Sequence, residues 1–144
     1  MCSAHATVRG LLGELVARGD ERRDIIVDME AGLEHLSRGT GKHVSQVLAV
    51  LEPYYRSMET VRRIAGLAEE LGVGRVTVVA NKVRDDADRQ AIGEFCRSHE
   101  LEVVAEIPYD PSLAESERAG ESPIDHAPGA PAVAAIRRLA EHLT

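Results

Sequence analysis

The stretch RVTVVANKVRDDADRQAIGEFCRSHELEVVAEIPYD, Arg75 to Asp110, decides the fold. It opens on Arg75 to Ala80, rich in Val and Thr, residues that suit a pleated, half-buried surface. Helical spacing follows. Ala91, Ile92, Phe95 and Cys96 share one side, and Asp85 or Asp86 stands in place to cap the first turn. Leu101, Val103, Ala105 and Ile107 then alternate with the period of a strand, and Pro108 ends it. Strand, helix and strand joined by such short connections predict a right-handed βαβ crossover with parallel strands.

Outward from this unit the alternation of elements continues. Upstream, Val47 to Val50 is a short apolar run closed by Glu52-Pro53. Val61, Ile64, Ala65, Ala68 and Leu71 mark an amphipathic helix, with Ser57 as N-cap and Gly72 as stop. Further back, Asp24 to Asp28 reads as a buried strand, and residues 31–43 as a polar, Gly-containing loop. A helix on Val8, Leu11, Leu12, Leu15 and Val16, ended by Gly19-Asp20, opens the chain with no strand before it. Downstream come a short helix over Ser112 to Ala119, a loop from Gly120 to Pro131, and a last helix on Val133, Ile136, Leu139 and Leu143. The expected fold class is α/β, a parallel sheet with helices on both faces, in a single domain covering residues 1–144.

Composition bounds the function. The 144 residues are 44% hydrophobic and 28% charged, values of a folded globular chain. With 17 Lys and Arg against 24 Asp and Glu the net charge is −7, which argues against nucleic acid or an anionic membrane surface as partner. Aromatics are only 3%, so stacking platforms for single strands are few. No apolar run approaches the ~20 residues of a membrane helix. The opening MCSAHATVRG does not read as a signal peptide, and two cysteines cannot form a disulfide framework, so the cytoplasm is the default compartment.

In an open α/β sheet ligands bind beyond the carboxyl ends of the strands. The residues there are Asp28-Met29-Glu30-Ala31-Gly32, Glu52-Pro53, Asn81-Lys82 and Pro108-Tyr109-Asp110-Pro111. An Asp at a strand tip followed by a Gly loop suits a Mg-nucleotide site, in which the carboxylate holds the metal through water. Asp28 serves equally well as a loop cap, and Gly32 as a tight turn. The Asn81 amide offers a donor and an acceptor to a purine edge, although Asn also favours turns. Other motifs fail. Arg38 to His43 resembles the end of a phosphate-binding loop, but Leu36 and His43 stand where Gly and Ser or Thr are required. Gly72-Val73-Gly74 precedes a strand instead of following one. None of the six histidines pairs at the i, i+4 spacing of a helical zinc site, Cys96 reads as a buried structural thiol, and no G-x-S-x-G elbow is present.

Taken together, the tips resemble a family. IIVDMEAGLEHLSRGT, Ile25 to Thr40, looks like the switch region of the nickel-insertion accessory ATPases of carbon monoxide dehydrogenase, within the MinD/ParA-like P-loop group. CSAHATVRGLL, Cys2 to Leu12, is similar to the segment after that family's C-x-C motif. VVANKV, Val78 to Val83, resembles its adenine-recognition strand, and IPYDPSLAESERAGESPI, Ile107 to Ile124, its later base-binding loop and the helix after it. The family's Gly-rich Walker A loop and the first Cys of its C-x-C motif would lie upstream of residue 1. The resemblance therefore implies the C-terminal part of an incomplete MinD-like P-loop NTPase fold.

On matching positions, the resemblance implies that Asp28 holds Mg²⁺ through water, with Glu30, Gly32 and Glu34 in the switch that senses the γ-phosphate. Asn81 would read adenine with Lys82 packing nearby, and Pro108 and Asp110 would flank the base. Cys2 would be one of the thiolates that bind Ni²⁺ or Zn²⁺ between the subunits of a homodimer. The implied cofactor is ATP or ADP with Mg²⁺, and the implied partner is carbon monoxide dehydrogenase or another nickel enzyme. Without a phosphate cradle, the chain by itself is expected not to hydrolyse ATP. The alternatives are a non-enzymatic α/β module that binds a nucleotide or a partner, and a fragment of a general ParA/MinD-type ATPase.

Overall fold

The computed structural model of the protein describes position 14, residues 25–28 and residues 45–143. The chain divides into two compact units, Met1–Val47 with Arg62–Val76, and Leu48–Val61 with Thr77–Thr144. Three described strands form one sheet: β1, Gln46–Leu51; β2, Arg75–Val83; and β3, Glu102–Pro108. They lie in the order β1-β2-β3 and run parallel, as the expected α/β class requires. Helix α1, Tyr55–Leu71, joins β1 to β2, and α2, Asp86–Ser98, joins β2 to β3. After β3 come α3, Pro111–Ala119, the single turn α4, Pro123–His126, and α5, Pro131–Leu143.

Strand β2 is central, and its burial shows why its residues are what they are. Thr77, Val78, Val79 and Ala80 are all buried in succession, which happens only when helices cover both faces of a strand. On one face Val79 packs with Ile107 of β3 and with Ala132 and Ala135 of α5. Those two alanines let the helix approach the sheet closely, and Val104, Leu113 and Leu139 close the layer. On the other face, Ala80, Val83 and Val103 line a shallow cavity with Ile92 of α2. Arg89 of α2 spans its mouth and donates to both carboxylate oxygens of Glu106 on β3, at 2.8 and 2.7 Å.

Local signals place the helix ends. Asp85 is the N-cap of α2 and accepts from the Asp88 N–H at 2.9 Å. Asp88, in that first turn, accepts two hydrogen bonds from the Arg84 guanidinium, at 2.8 and 2.9 Å. Both α3 and α5 begin at a proline, whose missing N–H costs nothing at that position. Gly120 ends α3 at φ 69, a left-handed cap that glycine adopts without strain.

Several expectations change. Helix α1 starts at Tyr55 instead of after Ser57, because the Tyr54 carbonyl already accepts the N–H groups of Ser57 (3.1 Å) and Met58 (3.2 Å). The Ser57 hydroxyl turns back to accept the Glu52 N–H at 2.9 Å. Strand β2 continues past Ala80 to Val83, and the expected loop after Gly120 contains the turn α4, capped by Ser122. Residues 25–28 form no strand, and Ile26 is 90% exposed. A β-branched run becomes a strand only when a neighbour supplies its ladder, and the β1-β2-β3 sheet does not include this one. The expected helix over residues 8–16 lies outside the described residues, apart from Glu14.

Val79→Ala removes two buried methyl groups and leaves a cavity, so it should lower unfolding stability by about 2 kcal/mol. Val50→Ala, at a β1 position that is 56% exposed, should stay within about 0.5 kcal/mol of wild type. Chemical denaturation of both variants measures the difference, and equal losses would show that β2 is not the core strand.

Candidate functional site

The site forms where β2 and β3 end side by side. Ala80 lies opposite Glu106 and Val83 opposite Pro108, so three steps along β2 match two along β3. The extra residue makes a bulge at Asn81-Lys82, a device that re-aims side chains at sheet rims. Lys82 adopts φ 55, a left-handed conformation that costs an L-residue on the order of 1 kcal/mol. Its ammonium donates to Glu52 Oε1 at 3.0 Å, at the neighbouring tip of β1. That hydrogen bond and the carboxylate's charge raise the Lys82 pKa above its ordinary value. Asn81 is half-buried, and its side-chain amide has no hydrogen-bond partner among the described residues. Its donor and its acceptor are therefore open to a ligand.

Beside the bulge, the Tyr109 N–H donates to the Val83 carbonyl at 2.9 Å and carries the ladder one step past Pro108. Asp110 follows as the N-cap of α3. Its Oδ1 accepts from the Ser112 N–H at 3.1 Å and the Ser112 hydroxyl at 2.7 Å, and its Oδ2 accepts from the Ala132 N–H at 3.2 Å. One carboxylate thus satisfies the starts of two helices, α3 and α5. The Ser112 hydroxyl first and the Ala132 N–H next hold its pKa below the usual carboxylate value. Tyr109, 55% exposed, stands between the half-buried Pro108 and this cap.

Asn81, Lys82, Pro108 and Asp110 are therefore brought to one edge of the sheet, with Glu52 added to them. Glu52 stood among the strand-tip residues of the sequence as half of a Glu-Pro pair, but its ion pair with Lys82 has no local sequence signal. Asp28 is exposed and belongs to the other compact unit. Cys2, Glu30, Gly32 and Glu34 lie outside the described residues. Among the described residues no three His, Cys, Asp or Glu side chains gather as a metal site. Cys96 is buried, and burial raises its thiol pKa, which keeps it protonated and unsuited to ligate a metal. Among the described residues no helix is long and apolar enough to cross a membrane.

No protein-family model matches the chain. It is 35% identical over 128 residues to the carbon monoxide dehydrogenase accessory protein CooC of Rhodospirillum rubrum, covering 89% of this chain and 47% of that protein. An uncharacterised ATP-binding protein of Methanocaldococcus jannaschii is 37% identical over 122 residues, covering 84% of this chain and 46% of that one. Among solved structures, the MinD cell division protein of Aquifex aeolicus superposes with a TM-score of 0.72 at 23% identity, over 95% of this chain and 61% of that one. MinD of Pyrococcus horikoshii, complexed with Mg-ADP, gives 0.68 at 17% identity, over 94% of this chain and 56% of that one. The chain is thus similar in sequence to CooC, and its fold is that of the MinD/ParA-like structures. It spans about half the length of the curated relatives it matches, with 47% of CooC covered. In this MinD/ParA-like fold the bulge and the double cap lie at the carboxyl edge of a parallel sheet, where α/β folds place their ligands.

Because the folded Asp110 pKa is depressed, its contribution to stability is present above the unfolded Asp value and is lost as pH falls through the folded one. Below about pH 4 the wild-type melting temperature should fall. Asp110→Ala should melt lower at pH 7 and show a flatter acid limb, with Asp110→Asn between the two because Asn still caps α3. Thermal melts from pH 7 to pH 2.5 give the comparison, and parallel acid limbs for wild type and Asp110→Ala would remove the capping role.

Proposed function

We propose that this chain is the base-binding and switch portion of an ATP-dependent accessory protein that delivers nickel to carbon monoxide dehydrogenase or a similar nickel enzyme. The observation that carries the reading is the open Asn81 amide on a bulged strand end, in a chain 35% identical to CooC. Asn81 can donate to and accept from an adenine edge, which fixes the base in one orientation. Pro108 and Tyr109, at the end of the neighbouring strand, offer apolar surface for the base, and Asp110 ties the two helix starts that follow them. Lys82, turned toward Glu52, keeps its charge at the rim of the site. Asp28, exposed and anionic, suits a water-mediated contact to Mg²⁺. Bound ATP with Mg²⁺ supplies the free energy for opening and closing a homodimer. Glu30 and Gly32 belong to the switch that follows its γ-phosphate. Nickel is the cargo, and Cys2 is this chain's soft ligand for Ni²⁺ or Zn²⁺ at the dimer interface. The protein works in the cytoplasm.

Two measurements test this. Asn81→Ala should weaken ATP binding about tenfold, the worth of one well-made hydrogen bond pair, as followed by fluorescent-nucleotide titration. Unchanged affinity would end the base-binding reading. Ni²⁺ or Zn²⁺ should raise the dimer fraction by light scattering, and Cys2→Ser should abolish that response. A metal response that survives the substitution would place the metal site elsewhere.

A further inference from the structure

Lys82 adopts a backbone conformation usual for glycine, and it stands at the bulge. What holds it there is outside its own strand. Glu52 directly follows β1, and its backbone is fixed on both sides. Its N–H donates to the Ser57 hydroxyl at 2.9 Å, and its carbonyl accepts from the Tyr54 N–H at 2.7 Å. The carboxylate therefore projects from a rigid tip and meets the Lys82 ammonium at 3.0 Å. Glu117 of α3 adds a weaker attraction on the same ammonium. The first turn of α1 thus fixes Glu52, Glu52 holds Lys82, and Lys82 is bonded directly to the residue with the open amide.

We propose that Glu52 is a positioning residue for nucleotide selection: its ion pair with Lys82 holds the β2 bulge in the conformation that presents the Asn81 amide to a nucleobase. The inference rests on the base-binding reading above and adds the residue that sets its geometry. The pair is 27% exposed on the glutamate side and 55% on the lysine side, so its strength is modest and salt-sensitive. Its effect is on orientation. A bulge released from the left-handed conformation turns the Asn81 amide away, and the distinction between adenine and guanine edges weakens with it.

The test titrates the protein with fluorescent ATP and GTP analogues at low salt, in wild type, Asn81→Ala, Glu52→Gln, Lys82→Gly and the Glu52→Gln/Lys82→Gly double variant. Glu52→Gln should weaken ATP binding about fivefold and lower the ATP-over-GTP preference, with a melting temperature close to that of wild type. A purely structural role would move the melting temperature and leave the preference unchanged. In the Lys82→Gly background, Glu52→Gln should add less than about twofold, because glycine takes the left-handed conformation without help. The proposal is overturned if Asn81→Ala weakens ATP binding while Glu52→Gln leaves affinity and preference at wild-type values, or if Glu52→Gln costs the same in both backgrounds. If Asn81→Ala itself has no effect, the base-binding reading fails and the role of Glu52 falls with it.

Discussion

Parallel strands need cover on both faces, and the β2–β3 ladder is where this chain meets that constraint. Thr77 to Ala80 are buried without a break. They can be so only because α5 packs small alanines against one face while α2 covers the other through Ile92 and the Arg89–Glu106 pair. The edge formed by the ends of β2 and β3 is then a fixed platform on which a ligand site can be built.

The platform is shaped by two departures from regularity. The bulge at Asn81-Lys82 breaks the ladder just before its end and leaves the half-buried Asn81 amide without a hydrogen-bond partner among the described residues. The Asp110 carboxylate does the opposite work. It gathers the N–H groups of two helices and stiffens the segment that follows β3.

Much of this was legible in the residues. The alternation from Leu101 to Ile107 predicts β3 because strand period and burial coincide there. Asp85 before a helical stripe predicts the start of α2, and its side chain makes the expected bond. Asn81, Lys82, Pro108 and Asp110 were singled out from strand-tip position and family resemblance, and they do share one edge of the sheet. The run at Ile25 to Asp28 misled, since β-branched composition describes a side-chain surface and not a partner. Ser57 misled for a related reason: a hydroxyl suited to capping also suits an acceptor role toward Glu52, and the choice depended on where the Tyr54 carbonyl pointed.

By itself the sequence determined the succession β1, α1, β2, α2, β3, α3 and the last helix α5, the excess of acidic charge and the residues at the tips of those strands, because these depend on periodicity and composition along the chain. Only the tertiary structure decided that Lys82 takes a left-handed backbone, that Glu52 reaches it from thirty residues away, and that Asp110 caps a helix twenty-two residues downstream as well as its own. Those contacts join residues distant along the chain. They exist only after the ladder has brought the strand ends together, and no local pattern encodes them.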